Sequence, residues 1–276
     1  MTNTLSLAIP LFSVTESLLT DIHNVCSEQN LPFFIAGATA REILLHHVYG
    51  KSMGRRTRDI DVAIFVEEWQ EFYSLKQSLL QHGASEKAKN IHRLIWQDTE
   101  LDIIPFGGIT QENKIAWPPD RSIFMAVDGF VEALSEVVKI QLANGITIPV
   151  CSLPGLALLK LFAWRDRGQT NAKDATDLFK IISEYGSIES ARIYEAPLDG
   201  ERSDWDPVRM GAELLGCDIA AVAKAESLAE LNTLDREKLT DAILRQSDTL
   251  ISDVTEQIMY DFWHGLLPDD AFATPP

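Results

Sequence analysis

The sequence predicts an α+β fold: a β-sheet flanked by helices over residues 1–150, followed by a mostly helical domain over residues 151–276. Two observations carry this prediction. Up to about residue 150, short apolar runs bounded by Gly, Pro and Asn interleave with segments of helical spacing, the pattern of a sheet covered by helices. Beyond that point the apolar spacing is helical almost throughout.

In chain order, SVTESLLTDIHNVCSEQN carries Leu18, Leu19, Ile22 and Val25 at helical spacing, with Asn30 and Pro32 as stop signals. LPFFIAG is a short apolar strand ended by Gly37, and ATAREILLHHVYG is a helix closing at Gly50. KSMGRRT is a polar loop into the strand DIDVAIFV, after which WQEFYSLKQSLLQHG is an amphipathic helix and HRLIWQDTELDIIPF a hairpin or strand pair. The Gly and Pro punctuation of GGITQENKIAWPPDRS predicts a long loop, and VVKIQLANGITIPV alternates about an Asn-Gly step as a β-hairpin does. SLPGLALLKLFAWRDRG then opens the helical half, with Ser152 as cap and Pro154 in the first turn. Downstream, APLDGERSDWDP is a loop and the terminal DDAFATPP is expected to fray.

Composition narrows the class of function. The 276 residues contain 46% hydrophobic and 24% charged residues, and no apolar run approaches the roughly 20 residues that span a bilayer. A membrane protein is not expected. The first residues lack an early basic region and include Glu16 and Asp21, so a signal peptide is not expected either, and the predicted location is the cytoplasm. Cys26, Cys151 and Cys217 are far apart with no CxxC pair, which points to reduced thiols. With 24 Lys and Arg against 41 Asp and Glu, the net charge of −17 repels polyanions on average, while leaving room for a local basic cleft.

Asp59 and Asp61 stand two positions apart in an otherwise apolar strand, so their side chains leave the same face roughly 7 Å apart, with Ile60, Val62 and Ile64 on the other. Like charges this close repel unless a cation neutralises them, and Mg2+ takes such hard oxygen ligands. Asp102, in ELDIIPF, offers a third carboxylate on another apolar strand. Three such groups on neighbouring strands can hold two divalent ions, Mg2+ or Mn2+, which activate an attacking hydroxyl and stabilise a leaving group in phosphoryl transfer. The alternative reading places the aspartates on the wet face of an exposed sheet. Gly37, at a strand-to-helix turn in GATARE, is either a packing glycine or the start of a phosphate-holding helix terminus. Arg55, Arg56 and Arg58 form a basic cluster that suits either an exposed loop or a triphosphate site.

A strand-end Gly, a helix, a DxD strand and a lone Asp on a later strand together resemble the nucleotidyltransferase superfamily, whose pattern is hG[GS] followed by Dh[DE]h. The second position here is Ala38, so the serine hydroxyl of that pattern is absent, leaving Thr39, Arg41 and backbone donors for phosphate. In the second half, Leu156, Leu159, Phe162 and Ala163 form an apolar helical stripe while Lys160, Trp164 and Arg167 line another face; Asp174 and Asp177 follow at i, i+3. A solvated face is the plain reading of these charges. The strings KLFA at 160–163 and KDATDL at 173–178 nevertheless resemble the carboxy-terminal motif of the AbiEii/AbiGii toxin family of nucleotidyltransferases, with Lys173 where arginine is more usual. The combined resemblance spans residues 30–185.

That resemblance implies a nucleotidyltransferase-type mixed β-sheet, with the helical domain completing an active-site cleft. It implies metal on Asp59 and Asp61 with Asp102 as third ligand or as base, nucleotide held by Gly37, Ala38, Thr39, Arg41, Arg58 and Lys160, and Asp174 or Asp177 assisting near the acceptor. It further implies a toxin, encoded with an antitoxin, that transfers NMP from an NTP to RNA such as the tRNA 3′ end. Two other functions stay open: modification of a cationic aminoglycoside-type drug, which suits the acidic surface, and a catalytically silent domain that binds nucleotide or a protein partner. No GxxxxGK[ST] is present; His46 and His47 are adjacent on one helix and cannot face one metal; Trp164, Trp205 and Trp263 suit core packing better than base stacking.

Overall fold

The computed structural model describes residues 4–52, 59–86, 90–246 and 252–268. The chain divides into two compact units, Met1–Ser152 and Leu153–Pro276.

The first unit begins with β1 (Thr4–Ser6), α1 (Ser13–Glu28), β2 (Phe33–Ala36) and α2 (Gly37–Glu42), which runs into a π-helical segment, Ile43–Val48. β3 (Asp59–Val66), α3 (Trp69–Gln81), β4 (Ser85–Glu86), β5 (Arg93–Trp96) and β6 (Thr99–Gly107) follow. The unit ends with β7 (Lys114–Trp117), β8 (Ile123–Ala126), α4 (Phe130–Ser135), β9 (Val138–Gln141) and β10 (Thr147–Val150). Eight strands form one mixed sheet in the order β1-β9-β10-β2-β3-β6-β5-β4, and β7 and β8 form a separate antiparallel pair. The second half of the expected loop 107–122 is thus partly strand. Its KIAW segment alternates buried and exposed residues and pairs with Ile123–Ala126, which the surrounding Gly and Pro punctuation concealed.

Three pairings at the centre of the sheet position the rest. β2 and β3 are antiparallel, with Ala36 opposite Asp61; β3 and β6 are parallel, with Asp61 opposite Asp102; β6 and β5 are antiparallel, with Asp102 opposite Arg93. Residues opposite one another share a face, so Asp59, Asp61, Glu100, Asp102 and Arg93 all project from one side. Farther along, that side becomes apolar. Ala63 and Phe106 are buried, and the rings of Phe34, Phe106 and Phe130 cluster with centroids 5.5 to 6.2 Å apart, so α4 caps this end. The other side carries Ile60, Val62, Ile64, Leu101 and Ile103, all at most 4% exposed, so a one-residue slip of β3 would turn Asp59 and Asp61 to the buried side and expose Ile60, Val62 and Ile64.

The second unit is helical: α5 (Leu153–Arg167), α6 (Lys173–Ile188), α7 (Arg192–Glu195), α8 (Pro207–Val222), α9 (Ala225–Leu231), α10 (Arg236–Leu244) and α11 (Ser252–Leu266). Asp206 caps α8 by accepting from the backbone N–H of Val208 at 2.7 Å, with Pro207 in the first turn. α8 is the hub, packing on α6, α11 and α5. Glycines set its closest approaches: a Cβ on Gly211 would lie 2.3 Å from Gly186 Cα, and one on Gly265 would lie 2.0 Å from the Glu213 carbonyl oxygen. The expected fraying at residues 269–276 concerns a stretch outside the described residues.

Because no side chain fits between α6 and α8, Gly211→Ala should cost about 2–3 kcal/mol through forced separation of the helices, read as a lowered urea midpoint of the helical signal.

Candidate active site

The two aspartates of the DID strand and Asp102 come together. Asp59, Asp61 and Asp102 each offer a carboxylate oxygen within 4.8 Å of the other two. All three donors are hard oxygens, a set compatible with Mg2+ or Mn2+. Backbone devices hold the trio. The Thr39 hydroxyl donates to the Asp59 carbonyl oxygen at 2.9 Å, tying the start of α2 to the start of β3. Thr39 is 5% exposed, so this hydroxyl, expected to face phosphate, instead supports Asp59. Gly37 has φ +61, and a Cβ there would lie 1.9 Å from Asp61 Oδ2. The glycine that begins α2 is therefore required by its conformation and by the carboxylate that packs against it.

The sequence reading missed Arg93. Its guanidinium forks onto Asp102, with Nε on Oδ1 and Nη2 on Oδ2, both at 2.5 Å, while Nη1 reaches Glu100 Oε2 at 2.6 Å. Hydrogen bonding to Asp102, reinforced by the charges of Asp102, Glu100 and Asp59, holds the Arg93 guanidinium above its ordinary value. Burial lowers the pKa of the neighbouring His92 imidazole against the opposing pull of Asp102. Its place opposite Asp102 is set by the two-residue turn at Gln97–Asp98 between β5 and β6.

Beside Asp59 a cavity of about 490 Å3 opens, bordered by Phe12, Thr39, Glu42, His47 and Asp98. His47 belongs to the π-helical segment and is 2% exposed; its Nδ1 pairs with the Ile9 carbonyl oxygen at 3.0 Å. His46 Nδ1 pairs with the Lys51 carbonyl oxygen at 2.9 Å. Both rings are engaged with backbone rather than aimed at a common centre. Ala38 is half-buried within α2 and Arg41 is 6% exposed. Arg55, Arg56 and Arg58 lie outside the described residues.

In the second unit, a separate charged cluster joins α5 to α6. Lys160 Nζ donates to Asp174 Oδ1 at 2.9 Å and to Asp177 Oδ2 at 2.7 Å. Arg167 adds a fork on Asp174, with Nε at 2.6 Å from Oδ2 and Nη2 at 2.9 Å from Oδ1. Asp174 is 1% exposed. Burial alone would raise its carboxyl pKa, but the hydrogen bonds and charges of Arg167 and Lys160 outweigh burial and hold it below the ordinary carboxylate range. Trp164, expected beside Lys160, is buried, as is Trp263, while Trp205 is exposed.

The sequence profile described as Nucleotidyl transferase AbiEii toxin, Type IV TA system, matches residues 18–248. The chain belongs to this family. This AbiEii-family chain is a nucleotidyltransferase, with the mixed sheet and helical second half expected from its sequence. A comparison with curated proteins finds no match. Among solved structures it is similar to that of ANT(2″)-Ia in complex with adenylyl-2″-tobramycin, at 16% identity and a TM-score of 0.41 over 65% of this chain and 94% of that one. It is also similar to an antigenic nucleotidyltransferase-like protein from Paracoccidioides brasiliensis, at 14% identity and a TM-score of 0.39 over 63% of this chain and 78% of that one. The complex of CCA-adding enzyme with ATP is similar at 9% identity and a TM-score of 0.33 over 91% and 80% of the two chains. Likenesses this distant do not assign an acceptor to the AbiEii-family chain. Among the described residues no helix is long and apolar enough to cross a membrane.

Two outcomes follow for this AbiEii-family enzyme. Gly37→Ala should displace the Asp61 carboxylate and lower nucleotidyl transfer by about 100-fold, measured beside a thermal melt showing the fold retained. Asp174→Asn should destabilise the protein by on the order of 3 kcal/mol at pH 7, since it strips a buried carboxylate from two cations. Because the folded-state pKa of Asp174 is depressed, its contribution is present above the unfolded value of about 3.9 and fades as pH falls through the lower folded value. The gap between wild type and Asp174→Asn, followed by urea titration, should therefore close in strong acid.

Proposed function

We propose that this enzyme transfers NMP from an NTP to a hydroxyl of an RNA acceptor, such as the tRNA 3′ end, releasing pyrophosphate, and that it acts as the toxin of a cytoplasmic toxin–antitoxin pair. The carrying observation is the Asp59–Asp61–Asp102 cluster, three hard donors within 4.8 Å of one another on one sheet face of a nucleotidyltransferase-family chain. When bound, Mg2+ or Mn2+ would neutralise triphosphate charge and activate the acceptor oxygen. Asp59 and Asp61 would hold it, with Asp102 beside them as third ligand or as base for the acceptor hydroxyl. Gly37 keeps the start of α2 close to Asp61, leaving backbone N–H groups of Ala38 and its neighbours as phosphate donors. Arg41, Arg58 and Lys160 would steer the NTP, and Asp174 or Asp177 would assist at the acceptor. Thr39 would act indirectly, by fixing Asp59.

A second reading is favoured by the charge. A net −17, with Glu42, Asp59 and Asp98 bordering the 490 Å3 cavity, suits a cationic small-molecule acceptor of the aminoglycoside kind better than a polyanion.

Incubation with α-labelled NTP and tRNA, an aminoglycoside or no added acceptor separates the readings. Label on tRNA supports the RNA acceptor, and label on the drug supports the second reading; NTP binding without transfer marks a silent domain. Asp59→Ala and Asp61→Ala should each lower transfer by at least about 10²–10³-fold while leaving the protein folded, and wild-type transfer by either variant overturns the metal assignment.

A further inference from the structure

The imidazole of His47 is buried and lines the 490 Å3 cavity, yet among the described residues only its Nδ1 is hydrogen-bonded. Nδ1 meets the Ile9 carbonyl oxygen at 3.0 Å, and because a carbonyl can only accept, Nδ1 carries the hydrogen. In the uncharged ring Nε2 is then a bare acceptor. It faces Glu42 Oε1, a second acceptor, at 3.8 Å, beyond hydrogen-bond reach. A protonated imidazole would draw the carboxylate in to roughly 2.7–2.9 Å. Buried pairs elsewhere in the chain do close to that range, Lys160 with Asp174 at 2.9 Å and Arg209 with Asp261 at 2.7 Å. The wider gap suits a donor placed between the two atoms, since one ammonium nitrogen can stand about 2.9 Å from both.

Backbone geometry builds the pair. On an α-helix residues five apart point about 140° away from each other, whereas the i→i+5 turn of the π-helical segment Ile43–Val48 brings Glu42 and His47 to one side. The rest of the lining fixes the chemistry of an occupant. Asp59 and Asp98 add negative charge, while Leu11, Phe12, Ile43 and Ile60 supply an apolar wall. The Thr39 hydroxyl is spent on the Asp59 carbonyl oxygen and so offers no donor to an anion. Of the carboxylate trio, Asp59 alone borders this space.

We infer that the cavity holds an amine with an apolar body, its ammonium nitrogen donating to His47 Nε2 and Glu42 Oε1 together. This goes beyond both readings of the function: the pair that grips the cation lies outside the carboxylate trio, so it holds whichever acceptor takes the nucleotide.

Phenethylamine, which joins a primary ammonium to a phenyl ring, is the probe, titrated calorimetrically at pH 8 into the full chain without nucleotide or metal. One molecule should bind, and 2-phenylethanol, of the same shape without the charge, should bind at least about tenfold more weakly. Glu42→Gln should weaken the amine by about tenfold while leaving the alcohol within about twofold, and His47→Phe, which removes the Nε2 lone pair, should weaken the amine by a similar factor. Nitrogen-15 spectra of the imidazole rings should show His47 with its hydrogen on Nδ1 alone and, on addition of phenethylamine, a shift at Nε2. No binding of the amine, equal affinity for the alcohol, unchanged affinity in Glu42→Gln, or a His47 ring protonated on both nitrogens in the ligand-free chain overturns the inference. These outcomes decide it even if His47→Phe does not fold.

Discussion

Gathering carboxylates on one end of a sheet face is the constraint from which the first unit follows. Two unit charges 4.8 Å apart repel by roughly 3–4 kcal/mol at an effective dielectric near 20, and the cluster holds three such groups with Glu100 close by. The chain cannot relax this by sliding β3 against β6. A slip of β3 by one residue would turn Ile60, Val62 and Ile64 out of the core, at about 1.5–3 kcal/mol for each side chain exposed. The apolar side of the sheet therefore holds the acidic side together, and positive charge must come to the acids. For Asp102 and Glu100, part of it comes from Arg93.

Local backbone geometry refines what the sheet imposes. A positive-φ glycine whose missing Cβ leaves room for Asp61, and a threonine hydroxyl spent on the carbonyl of Asp59, join α2 to β3 at the point where the carboxylates emerge. The π-helical segment after α2 adds a second tie, because the His47 carbonyl oxygen accepts from the backbone N–H of Ala8 at 2.7 Å and of Ile9 at 2.9 Å. The chain ahead of α1 is thus fastened beside the cavity that borders Asp59.

How much of this was legible depends on which interactions are local. The DID strand was readable because period-two alternation places Asp59 and Asp61 together whatever the rest of the chain does, and Gly37 because a glycine at a strand-to-helix turn marks itself. Family resemblance led to Lys160, Asp174 and Asp177, and the structure joins these three within the second unit. Arg93 was harder. Its partnership depends on hairpin register, and the turn that sets it, Gln97–Asp98, reaches positive φ at both residues without the Asn-Gly or Asp-Gly pair that announces such turns. The strand Lys114–Trp117 was hidden for the opposite reason, since conspicuous Gly and Pro neighbours outweighed four alternating residues. The fate of the Thr39 hydroxyl could not be read at all, because its acceptor lies 20 residues away on another strand.

The two charged clusters are preorganised by different physics. In the first unit the positions of the carboxylates are set by backbone pairing and by a glycine, neither of which salt can screen. In the second, Lys160, Arg167, Asp174 and Asp177 carry two charges of each sign and hold one another through side chains. Asp174 and Lys160 are shielded from water, so their bond survives ionic strength, but Arg167, 57% exposed at its side chain, contributes an ion pair that salt weakens. An anion approaching Lys160 meets a lysine already shared between two carboxylates and must compete with them. Because Arg167 shares Asp174 with Lys160, the exposed arginine sets how much of that carboxylate's charge the buried lysine is left to neutralise.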